Sequence, residues 1–98
     1  MDKSFQKVKR QITPILKAHA IRKAAVFGSF ARGEMTKNSD IDILIEFMGE
    51  KSLFDLIDLK FKLEDILKRK VDVLTYNSLH PLLKDIILNE QKIIYEKA

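Results

Sequence analysis

The segment from residue 40 to 47, with the sequence DIDILIEF, alternates polar and apolar side chains and predicts a β-strand. Successive side chains of a strand point to opposite faces, so its apolar residues share one face, which must be covered by a core. These residues are Ile41, Ile43, Ile45 and Phe47. Asp40 and Asp42 then lie side by side on the other face. The chain must therefore build a sheet that holds two carboxylates at one end of a buried strand.

Further strands and helices are predicted on both sides of this strand. Apolar runs predict strands at 23–27 and 71–75, and residues 92–96 form either a last strand or the continuation of a helix. Helical spacing predicts helices at 4–18, 52–69 and 79–90, with Ser4 and Ser52 as N-caps and Asn77 or Ser78 before the last helix. Phe54, Ile57 and Phe61 widen the apolar face of the 52–69 helix, which predicts a well-buried helix.

The short segment SFARGE, residues 29–34, fits a single helical turn, and MTKNS, residues 35–39, fits a loop. Strands that alternate with helices predict an α/β or α+β fold, in which helices pack on a sheet. The length of 98 residues suits one domain, residues 1–98.

Composition excludes several classes of protein. The chain has no cysteine, which removes disulfides and thiolate metal sites and fits a cytoplasmic protein. The N-terminal residues lack the apolar core of a secretory signal, and no apolar run approaches a membrane span. The net charge of +4 comes from basic residues that are spread along the chain, so direct nucleic-acid binding is not favoured.

Carboxylates interrupt two of the predicted strands. Asp40 and Asp42 repel each other unless a cation lies between them, and Mg²⁺ prefers such oxygen ligands together with substrate phosphates. Asp72 interrupts the strand VDVLT in the same way. If the two strands are neighbours, the three carboxylates converge, as in the metal sites of phosphoryl-transfer enzymes.

The segment GSFARG, residues 28–33, has the features of a phosphate-binding turn. Gly28 lets the backbone approach a ligand closely. Ser29 offers a hydroxyl and the free N–H groups of a helix start, and Arg32 offers a guanidinium to the same polyphosphate. Arg32 could equally be a surface residue in a salt bridge.

Other motifs fit less well. Asp40 and Asp42 do not open an EF-hand loop, because Ile43 and Leu44 stand where further polar ligands are needed. Glu34 and Met35 replace the Lys-Ser/Thr pair of a P-loop. Ser29 has no histidine in a recognisable context that would make it a hydrolase nucleophile.

The combination of GSFARG, Asp40-Ile41-Asp42 separated from Ser29 by ten residues, and Asp72 in a later strand resembles the minimal nucleotidyltransferases (MNT). These proteins belong to the DNA polymerase β-like superfamily, and the resemblance covers essentially the whole chain. It implies a nucleotidyltransferase core with a mixed sheet. It also implies that Asp40 and Asp42 bind Mg²⁺, that Asp72 completes the site and activates the attacking hydroxyl, and that Gly28 and Ser29 bind ATP.

The resemblance also implies a partner. Small members of the family are typically paired with a helical HEPN-type ribonuclease toxin, and some transfer AMP from ATP to a tyrosine of that toxin, thereby acting as its antitoxin. The chain lacks the second domain that holds the acceptor in larger relatives, which favours a protein acceptor. A binding module that only occludes its partner, and a small-molecule nucleotidyltransferase with a site at an oligomer interface, remain as alternatives.

Overall fold

A computed structural model describes residues 3–34 and 40–97 as four strands, four α-helices and one 3₁₀ turn. The helices are α1 (Lys3–Ala18), α2 (Gly28–Ala31), α3 (Leu53–Leu67) and α4 (Pro81–Glu90). The strands are β1 (Ile21–Phe27), β2 (Ile41–Phe47), β3 (Val71–Thr75) and β4 (Lys92–Glu96), and the 3₁₀ turn spans Tyr76–Ser78. The predicted MTKNS loop lies outside the described residues.

The four strands form one mixed sheet in the order β3-β2-β1-β4. Strand β1 is antiparallel to both β2 and β4, whereas β2 and β3 are parallel. A parallel pair needs a long crossover, and α3 supplies it between β2 and β3. The mixed sheet and the α/β class are therefore confirmed, and β2 and β3 are direct neighbours.

The main core covers one face of the sheet. Helices α1 and α3 pack there, with Ile12, Leu16, Leu59 and Leu63 fully buried against the strands. The two residues of each helix lie four positions apart, which is a spacing that places side chains on one helix face. A smaller cluster on the other face joins Ala25, Phe27, Leu44 and Leu79 to side chains from α4. The second face is thus only partly covered.

The structure corrects several predicted features of the helices. Helix α3 is not well buried, because Phe54 and Phe61 are 82% and 62% exposed, and Ile57 is exposed as well. The apolar stripe is wider than the sheet surface available to it, so only Leu59 and Leu63 are fully buried.

The predicted caps of two other helices are also wrong. Helix α1 begins at Lys3, so Ser4 lies within it. The N-cap of α4 is His80, whose side chain accepts a hydrogen bond from the Leu82 N–H, rather than Asn77 or Ser78.

The cap of α3 is as predicted. The backbone N–H of Ser52 donates to Asp55 Oδ2 at 2.8 Å, which closes the first turn and lowers the pKa of Asp55. Residues 92–96 form a strand rather than a continuation of α4. Within the described part of the chain, every helix is too short or too polar to cross a membrane.

Candidate active site at one edge of the sheet

Strand directions bring three separate segments of the chain to one edge of the sheet. Because β1 runs antiparallel to β2, the end of β1 at Phe27 lies opposite Asp42 near the start of β2. Because β2 and β3 run parallel, Asp42 also lies opposite Asp72 near the start of β3. The turn that begins with Gly28 follows β1 directly. The glycine–serine turn and two of the three predicted carboxylates therefore meet at this edge.

Asp42 is the half-buried centre of this arrangement, and its pKa is raised to about 6. Burial is the largest cause, because it disfavours the charged form. The negative charge of Asp72 and a hydrogen bond between the two side chains, which requires a shared proton, raise this pKa further. The charge of Asp40 adds a smaller effect, and Arg32 opposes the rise. The site thus concentrates negative charge that Arg32 offsets only in part.

Asp40 lies just before β2 and is half-buried, while Asp72 is exposed. Asp40 acts on Asp42 through its charge, yet the three predicted ligands do not form a closed cluster. Among residues 3–34 and 40–97, no three histidine, aspartate or glutamate side chains are grouped to hold a metal ion. The facing pair Asp42 and Asp72 still fits Mg²⁺, which commonly takes one or two carboxylates and completes its shell with water and phosphate oxygens.

Gly28 contacts the carboxylate side chain of Asp42 directly. Its φ is +69°, in the left-handed region that side-chain-bearing residues rarely adopt. A Cβ at this position would overlap Asp42 Oδ2 and would lie 3.2 Å from Asp42 Cγ. Residue 28 must therefore be glycine for two independent reasons, and the absence of its side chain leaves the turn in contact with the carboxylate pair.

The predicted phosphate ligand Arg32 is held by two carboxylates of the protein. Its Nε donates to Glu34 Oε1 at 2.5 Å, and one terminal nitrogen donates to Glu90 Oε2 at 2.9 Å. These two partners raise the pKa of Arg32 above its ordinary value. Glu90 also accepts a hydrogen bond from the Gly28 N–H at 2.5 Å. Arg32 is thus both a salt-bridge residue and a member of the group around the glycine–serine turn.

Glu90 is the residue of this site that the sequence pattern did not indicate. It lies 62 positions from Gly28 in the chain, so no local motif connects the two. The one sequence signal is its place at the end of a predicted helix, where an acidic side chain is unfavourable. Such a residue needs a specific cationic or N–H partner.

A cavity of about 470 Å³ lies at the opposite end of β2 and β3, where Glu46, Lys51 and Tyr76 contribute to its lining. Neither the three aspartates nor the glycine–serine turn lines it. The candidate site is therefore identified by its carboxylates and N–H donors, and it is separate from this cavity.

The fold and this arrangement define a nucleotidyltransferase. The family model described as "Polymerase beta, Nucleotidyltransferase" matches residues 10–98, and the chain belongs to that family. A Methanocaldococcus jannaschii protein that is provisionally named as a protein adenylyltransferase is 58% identical over 87 residues, which cover 89% of this chain and 94% of the relative.

Solved structures agree with the fold. A structure described, again provisionally, as a minimal nucleotidyltransferase has a TM-score of 0.80 and 32% identity, covering 94% of this chain and 95% of its own. A chain from the Shewanella oneidensis complex of a tri-AMPylated HEPN toxin with MNT antitoxin has a TM-score of 0.74. Its 20% identity, over 95% of this chain and 73% of that chain, shows the fold alone.

Proposed function

We propose that this protein is a Mg²⁺-dependent protein adenylyltransferase that transfers AMP from ATP to a hydroxyl group of a partner protein. The observation that carries the proposal is the meeting of the Gly28–Ser29 turn with Asp42 and Asp72 at one sheet edge. A turn with N–H and hydroxyl donors suits a triphosphate, and a carboxylate pair suits the cation that accompanies it. The same proposal treats residues 1–98 as a single catalytic domain.

In the proposed reaction, the acceptor hydroxyl oxygen forms a bond to the α-phosphorus of ATP, and the bond from that phosphorus to the β-phosphate oxygen breaks. Pyrophosphate leaves, and AMP stays on the acceptor. Asp72 accepts the hydroxyl proton, because it is the more exposed member of the carboxylate pair. Ser29 and Arg32 hold the phosphates, and Gly28 lets the backbone approach them closely, so that most of the catalysis is positioning and charge stabilisation.

Asp42 and Asp72 would hold Mg²⁺, with Asp40 as a third carboxylate at the same edge. When bound, the cation neutralises the negative charge of both the triphosphate and the carboxylates. The raised pKa of Asp42 supports this role, since the folded chain pays a free-energy cost to hold that carboxylate in its charged form.

For the partner, we propose a HEPN-type toxin with a tyrosine hydroxyl as acceptor, so that the enzyme acts as an antitoxin. Two comparisons support this proposal. The 58% identical relative is provisionally named as a protein adenylyltransferase. A structure of the same fold comes from a complex in which a HEPN toxin carries AMP.

The test uses the purified chain, Mg²⁺, ATP labelled at the α-phosphate and a purified HEPN-type protein as the proposed partner. We expect label on the HEPN protein, and mass spectrometry of its peptides should place AMP on a tyrosine. Asp42→Asn should lower transfer by at least about a hundredfold, because the charge that holds the cation is lost. Asp65→Asn, on the exposed surface of α3, is the matched control and should transfer normally. Equal transfer by Asp42→Asn would reject the proposed chemistry.

A second candidate function is a binding module that neutralises its partner by occlusion. It is favoured by the exposed apolar side chains of α3 and α4, which include Phe54, Phe61 and Leu82 and could bind a partner without catalysis. Under this alternative, Asp42→Asn would still protect cells that express the toxin. Loss of protection in that variant, with the complex still formed, would favour the enzyme.

A further inference from the structure

Glu90 joins the last turn of α4 to the glycine–serine turn, which lies about 60 positions earlier in the chain. One carboxylate oxygen accepts from the Gly28 N–H at 2.5 Å, and the other accepts from Arg32 at 2.9 Å. The side chain is 22% exposed, so both bonds are partly shielded from water. Charge-assisted hydrogen bonds of this kind are stronger than neutral ones. Glu90 thus ties two elements of the candidate site together.

The position of Glu90 is unfavourable for helix α4 itself. An acidic side chain in the last turn opposes the helix dipole, and no basic residue lies in that turn to offset it. The bonds to Gly28 and Arg32 are therefore what stabilises the carboxylate there. The helix contributes no fully buried residue of its own, so this link also fixes the end of α4.

The hydrogen bonds to Glu90 divide the donors of the turn into two groups. Gly28 N–H is occupied, whereas the Ser29 hydroxyl makes no hydrogen bond within residues 3–34 and 40–97. Arg32 uses one terminal nitrogen for Glu90 and its Nε for Glu34, and a guanidinium has five N–H donors in total. Donors of Ser29 and Arg32 therefore remain for a ligand while Glu90 holds the backbone of the turn.

We propose that Glu90 is a positioning residue for nucleotide binding. It fixes the backbone of Gly28 and the direction of Arg32, so that Ser29 and the free guanidinium donors face the triphosphate. The inference rests on the proposed function, because it takes the glycine–serine turn as the ATP site. A positioning role and simple electrostatics predict opposite effects of replacing Glu90 on the affinity for ATP. Removing a negative charge near a polyanion should strengthen binding, whereas loss of a positioning residue should weaken it.

The experiment measures Mg²⁺-ATP affinity by calorimetry for the wild type, Glu90→Gln, Glu90→Ala and Glu46→Gln. Glu46 is the matched control, because it also pairs with an arginine, Arg22, at 3.8 Å, and its replacement removes the same charge away from the turn. We expect affinity to fall about tenfold in Glu90→Ala, the loss expected when a charge-assisted hydrogen bond is removed, and less in Glu90→Gln. Glu46→Gln should bind as the wild type does.

Thermal melting of each variant separates positioning from unfolding. A fall in affinity for Glu90→Gln at a melting temperature near that of the wild type supports the inference. Unchanged or tighter binding in both Glu90 variants overturns it, since Glu90 would then be neutral or would compete with phosphate. Absence of ATP binding by the wild type would instead reject the ATP site and, with it, the proposed function.

Discussion

The fold disfavours the charged form of the Asp42 carboxyl group. Its carboxyl group has a pKa of about 6 in the folded chain and an ordinary value of 3.8. The folded state therefore binds the proton more tightly than the unfolded state does. Protonation favours folding, so the destabilising effect of Asp42 is absent below about pH 3.8 and is fully present above about pH 6.

The raised pKa of Asp42 predicts that Asp42→Asn stabilises the metal-free protein at neutral and alkaline pH. Asparagine keeps the shape of the side chain and removes its charge. After allowance for solvent screening at a half-buried site, we expect a gain of about 1 kcal/mol at pH 8, or about 5 °C in melting temperature, and little gain at pH 4. Melting curves in the presence of a chelator measure the difference. Asp65→Asn, at an exposed position, is the control. A stability of Asp42→Asn that does not differ from the wild type at pH 8 would contradict this account.

An alanine at Gly28 would cause both backbone strain and overlap with a side chain. Comparison with an alanine at Gly49 separates the two effects. Gly49 has a similar φ, +75°, but a Cβ there meets no atom within 4 Å, whereas a Cβ at Gly28 overlaps the Asp42 carboxylate. Gly49→Ala should cost about 1 kcal/mol from strain alone. Gly28→Ala should cost about 2–3 kcal/mol and should also lose ATP binding.

Urea denaturation and ATP calorimetry on the two glycine variants provide the comparison. Normal ATP affinity in a folded Gly28→Ala variant would show that the close approach of the turn to Asp42 has no part in binding.

At the scale of elements, α3 shows which apolar residues stabilise the fold. Leu63 is fully buried against the sheet, whereas the larger Phe61 is 62% exposed two positions earlier. Leu63→Ala should therefore cost about 3 kcal/mol, through lost burial and the cavity that remains. Phe61→Ala should cost less than about 1 kcal/mol, although it removes more apolar volume. The free energies of unfolding in urea measure both, and an equal cost would mean that Phe61 is buried in solution.

The helices and strands were largely predictable from periodicity, but their exposure was not. The spacing of apolar residues in 52–69 correctly gave a helix, and that in 71–75 gave a strand. Which residues of α3 are buried depends on how much sheet surface lies beneath the helix, and that is a property of the whole fold. For this reason Phe54 and Phe61 were wrongly placed in the core.

In the whole molecule, the strand order of the sheet determines which residues meet at the site. Local sequence patterns do not specify this order. Asp42 and Asp72 were each recognisable as acids in apolar strands, but their contact required β2 and β3 to be parallel neighbours. The role of Glu90 was missed because its partners are 62 and 58 positions away. Local patterns thus identified the chemical groups, whereas their contacts depend on pairings between distant segments.

The molecule presents apolar surface on helices from both sides of its sheet. Exposed large apolar side chains lie on α3 and α4: Leu53, Phe54, Ile57, Phe61, Ile66, Leu82, Leu83 and Ile86. Surface of this kind marks contact sites on small proteins. It is consistent with the proposed protein partner.

The pairing of β1 with β4 also bears on the order in which the site forms during folding. Gly28, Asp42 and Asp72 all precede Glu90 and β4 (Lys92–Glu96) in the chain. The turn gains its carboxylate partner, and β1 its second neighbour, only when residues 90–96 have docked on the sheet. Because a single residue separates Glu90 from β4, docking of the strand brings the carboxylate close to the turn. The turn is therefore completed by the same folding step that completes the sheet.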